Sequence, residues 1–148
     1  MARPPLAETA IIIGAEAEDW RAAVRLAGLA LVESGAARPG YAGEMIRMIE
    51  EHGPYVVIAP GLVLAHARPG PEVLADGLAV VTLATPVPFG HPHNDPVHVV
   101  LGLATTSAND HLESIADLAN VFNDSSAIAD LAAATTITEV QRIMGETA

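Results

Sequence analysis

An α/β domain, with a mixed central sheet flanked by helices, is the fold class this sequence predicts. Three observations point to it. Helix-spaced apolar residues occupy both ends of the chain, short apolar runs occupy its middle, and the length of 148 residues suits one domain. Strands and helices do not alternate strictly, so a mixed sheet is expected rather than a parallel one.

The elements follow in order. Residues 10–14, "AIIIG", read as a strand. "EDWRAAVRLAGLALVESG" spaces Trp20, Val24, Ala27 and Leu31 as one helical stripe, with Gly35 as its stop. After the turn "ARPG", a second helix, "YAGEMIRMIEEHG", sets Tyr41, Met45 and Met48 on one side and ends at Gly53 and Pro54. Strands are expected at 55–59, 62–66, 77–85 and 97–104, several of them apolar throughout, as strands covered on both faces should be. Asp110 followed by Glu113 resembles a capping box opening "HLESIADLANVFND", and helices over 125–134 and 136–145 complete the chain. No repeat or long linker interrupts residues 1–148, which read as a single domain.

Composition narrows the chemistry. No apolar run reaches the roughly 20 residues of a membrane-spanning helix, and "MARPPLAETA" carries no secretory signal pattern. A cytoplasmic protein without membrane insertion is therefore expected. Cysteine is absent, which removes disulfides, thiol nucleophiles and cysteine-based zinc sites. Seven arginines face eighteen acidic residues, lysine is missing, and the net charge is −11. Nucleic-acid backbones need clustered cations, so they are excluded as partners. Without lysine there is neither a Schiff base nor a phosphate-binding P-loop. A bound anion would depend on a particular arginine, on histidine or on backbone N–H groups.

Six histidines are the candidate working groups: His52, His66, His91, His93, His98 and His111. His52, beside Gly53, fits a helix C-terminus, where a cation is favoured. "FGHPHNDPVH" offers His91, His93, Asp95 and His98 as possible metal ligands, the basis of a metal-dependent hydrolase reading. The spacing matches no helical zinc motif, and Pro92 and Pro96 belong to an ordinary strand connection. In "LVLAHAR", His66 and Arg68 fall on one side if the strand continues. An imidazole can attack phosphorus and a guanidinium can hold phosphoryl oxygens, yet spacing alone favours a structural strand-end histidine. His111, at a predicted helix start, is open to the same two readings.

Longer stretches carry more. "YAGEMIRMIEEHGPYVVIAPGLVLAHARP" and "VTLATPVPFGHPHNDPVHVVLGLATTSANDHLESIADL" resemble the IIA component of the bacterial sugar phosphotransferase system, in its mannitol/fructose superfamily. "AEAEDWRAAV" and "HGPYVVIAPG" favour the ascorbate-type branch, and the likeness runs from about residue 10 to 144. The resemblance implies a cytoplasmic phosphocarrier that needs no cofactor and no metal. His66 would accept a phosphoryl group from phospho-HPr and pass it to a cysteine of the EIIB component. It places the second active-site histidine at His111 and the following arginine at Arg68, puts Asp95 near the site, and leaves Arg47 one position from an active-site arginine of mannitol-type members. Where the family usually has proline before the phosphorylated histidine, this chain has Ala65. A regulatory domain phosphorylated at the same histidine is the nearest alternative.

Overall fold

Unbroken burial marks the central strands. Leu62 to Ala65 and Val99 to Ala104 are buried residue after residue. Since neighbours along a strand face opposite ways, both faces of the sheet must be covered there. A computed structural model describes residues 5–124 and 126–145. It contains five strands: β1 (Ile11–Ala15), β2 (Val57–Ala59), β3 (Leu62–His66), β4 (Gly77–Val87) and β5 (Val97–Ala104). Their order is β1-β4-β5-β3-β2. The β1/β4 and β3/β5 pairs are parallel, and the other two pairs are antiparallel. The sheet is mixed, as the pattern of elements predicts.

The helices are α1 (Trp20–Glu33), α2 (Tyr41–His52), α3 (Ala108–Val121), α4 (Ser126–Ala133) and α5 (Ile137–Ile143). The Asp19 side chain accepts the Ala22 N–H at 2.9 Å and caps α1. The stripe of α1 then buries Val24, Ala27 and Leu31. Small side chains let this helix lie close to its neighbours. A Cβ on Gly28 would stand 2.6 Å from that of Ala42 in α2, and one on Gly102 of β5 would stand 3.2 Å from that of Ala27. The abundance of alanine in the sequence is thus a packing feature, since it lets backbone approach backbone.

Several boundaries differ from the sequence reading. The expected strand at 55–59 is shorter, because residues 54–56 form a turn closed by Val57 N–H to the Pro54 carbonyl at 3.1 Å. That turn takes Tyr55 out of the sheet. β4 extends to Val87, with a register shift between Thr82 and Val87. The third helix begins three residues before His111. Its cap is Ser107, whose hydroxyl accepts the Asp110 N–H at 3.1 Å, so Asp110 lies within the first turn instead of capping it. The expected helix over 125–134 is observed from Ser126, and Ser125 lies outside the described residues.

Candidate functional site

β3 and β5 run in the same direction, with His66 opposite Leu103, so their carboxyl ends open at one edge of the sheet. Crevices outside the carboxyl ends of strands are common ligand sites in α/β folds. Here the chain leaves β3 through Ala67 and Arg68, and leaves β5 through Thr105 into α3. Between them lies a cleft of about 570 Å³ lined by Met48, His66, Arg68, Pro69, Ala108, His111 and Leu112. Three of the four predicted site residues therefore meet at one place.

Hydrogen bonding assigns the tautomer of His66. Its Nδ1 lies 2.8 Å from the Leu64 carbonyl oxygen. A carbonyl can only accept, so Nδ1 carries the proton and Nε2 keeps its lone pair. Burial pushes the His66 pKa below the ordinary 6.5, partly offset by that carbonyl. The His111 ring stands 5.1 Å away, centroid to centroid, with its Nδ1 3.3 Å from the Thr105 hydroxyl. Burial lowers its pKa also, and the neighbouring His66 adds to the effect. Both rings are neutral at pH 7, a state suited to a nucleophile.

This has a measurable consequence. As pH falls through 6.5 the unfolded chain takes up protons at these positions before the folded protein does, so folding stability decreases. Imidazole titration by NMR is expected to give midpoints below 6.5 for both rings, and His66→Gln should flatten the stability profile just below that pH. Midpoints at or above 6.5 would contradict the buried, neutral pair.

Arg68 is exposed and forms no salt bridge among the described residues, whereas Arg21 and Arg47 pair with Glu50 and Glu44. Arg47 lines a groove that adjoins the cleft and shares Arg68 and Met48 with it. Its charge is thus near the site but already matched. Tyr55 presents its ring edge-on to His66 at 5.8 Å. Its phenol is pushed up by burial and drawn back in part by the charge of the Arg68 guanidinium.

Asp95 is the exception. Its carboxylate accepts N–H groups from Phe89, Gly90 and His91 at 2.9, 2.7 and 3.1 Å. It precedes β5, whereas His66 pairs with Leu103 near the far end of that strand. Six residues of strand at ~3.3 Å each put roughly 20 Å between the two places. The fold corrects the expectation that Asp95 lies near His66, because this side chain organises the loop before β5. The same loop bears on the metal reading. His91 Nδ1 accepts from the His93 and Asn94 N–H groups at 3.1 and 3.0 Å, so that donor atom is engaged, as is the Asp95 carboxylate. No group of three or more His, Asp or Glu side chains suited to a metal occurs among the described residues. His98 instead lines a separate apolar cavity of about 510 Å³ with Pro60 and α4. Among the residues lining that cavity, His98 alone is titratable, so the chemistry favours the His66 cleft.

The sequence reading missed two tyrosines. The pattern puts Tyr55 in a strand and Tyr41 only on one side of a helix with Met45 and Met48. A tyrosine on a core-facing stripe is itself a signal, since its hydroxyl requires a buried partner.

A neutral imidazole, a second imidazole and an arginine that forms no salt bridge among the described residues thus share one cleft. Residues 5–146 match the family described as phosphoenolpyruvate-dependent sugar phosphotransferase system, EIIA 2. The ascorbate-specific PTS system EIIA component of Shigella boydii serotype 4 (strain Sb227) is 39% identical over 147 residues, covering 98% of this chain and 96% of that protein. The crystal structure of IIA mannitol from Escherichia coli superposes with a TM-score of 0.84 at 27% identity, covering 95% of this chain and 99% of the other. In the E. coli complex of enzyme IIA mannitol with phosphorylated enzyme IIB mannitol, the matching chain gives 0.83 at 26% identity, with coverage of 95% and 96%. The chain belongs to the EIIA 2 family of the phosphoenolpyruvate-dependent sugar phosphotransferase system. No helix among its described residues is long and apolar enough to cross a membrane.

Proposed function

We propose that the protein is a cytoplasmic phosphocarrier of a sugar phosphotransferase system. His66 takes a phosphoryl group from phospho-HPr and passes it to an EIIB component serving uptake of ascorbate or a similar sugar acid. The observation that carries this reading is the bond between His66 Nδ1 and the Leu64 carbonyl, which reserves Nε2 for attack. The family gives the phosphotransferase context, and the Shigella relative, named for ascorbate, supports the sugar class. The E. coli mannitol complex supports EIIB as the acceptor.

The transfer is a displacement at phosphorus. The Nε2 lone pair forms the new N–P bond while the donor's N–P bond breaks, and that electron pair returns to the donor imidazole. The phosphorylated ring of His66 then carries positive charge, and its Nδ1–H makes a charge-assisted bond to the Leu64 carbonyl. Arg68 and His111 would share the charge on the transferring phosphoryl oxygens. The donor is already activated, so the step draws on no nucleotide. The net charge of −11 suits transient docking of partners with basic faces.

Intact mass spectrometry after incubation with phosphoenolpyruvate, enzyme I and HPr tests the reading. One acid-labile phosphoryl group should be gained, then lost on addition of EIIB. No gain with several bacterial HPr proteins would overturn the carrier role. A phosphoryl group that no EIIB removes would favour the regulatory alternative.

A further inference from the structure

Tyr41, the first residue of α2, is 1% exposed, and its hydroxyl lies where β3 and β5 end. It donates to the Leu103 carbonyl at 2.7 Å and accepts the Ala67 N–H at 3.0 Å, with the Ala67 carbonyl at 3.3 Å. Each partner has a particular position. Leu103 stands opposite His66 in the strand pairing. Ala67 joins His66 to Arg68 and lies just beyond the last residue of β3. Past that point the Ala67 N–H goes to the phenol instead of a neighbouring strand.

A single side-chain oxygen thus ties the His66–Arg68 connection to β5. We infer that Tyr41 is a positioning residue for phosphoryl transfer, its hydroxyl holding the Ala67 peptide so that His66 and Arg68 serve the cleft together. The inference rests on the phosphocarrier reading above. Tyr41 itself touches no phosphoryl group, because it is buried and is not among the residues that line the cleft. Burial also pushes its phenol up to about 12, so it remains a donor throughout the working pH range.

A core hydroxyl could matter only for folding, so the test needs a matched control. Thr82 is 2% exposed, and its hydroxyl accepts the Gly14 N–H at 2.8 Å. It pairs with Val99, well away from the cleft end of the sheet. Tyr41→Phe and Thr82→Val each remove one buried hydroxyl that serves a backbone N–H. Single-turnover phosphorylation by phospho-HPr is then measured at a temperature where both variants are fully folded. Tyr41→Phe should slow the transfer step ~10- to 100-fold, the usual effect of misplacing reacting groups by about an ångström, while donor affinity stays within about twofold. Amide exchange at Ala67 should quicken in the same variant. Thr82→Val should leave the transfer rate within about twofold.

Equal rates in the two variants, or a loss confined to donor affinity, would overturn the inference. Should Tyr41→Phe fail to fold, 3-fluorotyrosine at position 41 alone keeps ring and hydroxyl but weakens the oxygen as an acceptor. A smaller slowing with quicker Ala67 exchange is then expected, and a wild-type rate counts against the idea. A wild-type protein that takes no phosphoryl group would sink the phosphocarrier reading and this inference together. Normal transfer by Tyr41→Phe would sink this inference alone.

Discussion

His66→Gln should abolish phosphoryl acceptance: in the presence of phosphoenolpyruvate, enzyme I and HPr, the variant is expected to keep its unmodified mass while the wild type gains one phosphoryl group. Glutamine fills similar space and still offers the Leu64 carbonyl an N–H donor, so the strand end keeps a partner. It has no basic nitrogen. Removing a nucleophile outright leaves only binding and charge stabilisation, and losses of roughly 10⁴-fold or more are usual in such cases. His111 bounds the expectation. Its ring is 5.1 Å from that of His66 and is also neutral, so a wandering phosphoryl group has somewhere to land. Yet its Nδ1 faces a hydroxyl that can donate as well as accept, so its tautomer is not held as a carbonyl holds that of His66. Peptide mapping of the phosphorylated wild type should find the label on His66. A His66→Gln protein that still becomes phosphorylated would move the acceptor to His111 and remove the basis of the assignment.

The sequence showed the scaffold of this site more readily than its detail, for physical reasons. β3 and β5 announce themselves because residues buried on both faces must be apolar in succession, and "LVLA" and "VVLGLA" leave little other use for such runs. His66 is conspicuous as the first polar residue after one of them. What spacing could not supply was its partner. His111 is 45 residues downstream, and only the parallel pairing of β3 with β5, followed by the turn into α3, brings the two rings together. Resemblance supplied the pair where local pattern could not. The same resemblance misplaced Asp95, since a recurring residue can hold a loop as well as a ligand, and three backbone N–H groups reveal which only in three dimensions. The start of α3 is ambiguous in the sequence for a subtler reason. Ser107, Asp110 and Glu113 are spaced three apart, so two overlapping capping patterns compete, and the serine hydroxyl takes the role.

Arg68→Gln should slow phosphoryl transfer by roughly 10²- to 10³-fold, the range typical of deleting one group that stabilises transition-state charge. Few chains would depend so heavily on one cation. This one has no lysine and a net charge of −11, so a dianionic group approaching His66 meets a repulsive background. Arg68 lines the cleft without a salt bridge among the described residues, and its charge is felt at Tyr55, beside His66. Arg47 is also close, but Glu44 neutralises it, so Arg47→Gln should change the rate only a few-fold. Arg68→Lys separates charge from shape. An ammonium restores the charge but not the two-pronged fork that grips two oxygens at once, and a residual defect of about tenfold is expected. Because Arg68 is exposed, none of these changes should move folding stability by more than ~0.5 kcal/mol. Rapid-quench rates with phospho-HPr, beside thermal melts of the same samples, decide the matter. Transfer by Arg68→Gln within twofold of wild type would mean that the partner supplies the compensating charge, and that the cleft holds the phosphoryl group through its histidines and backbone N–H groups.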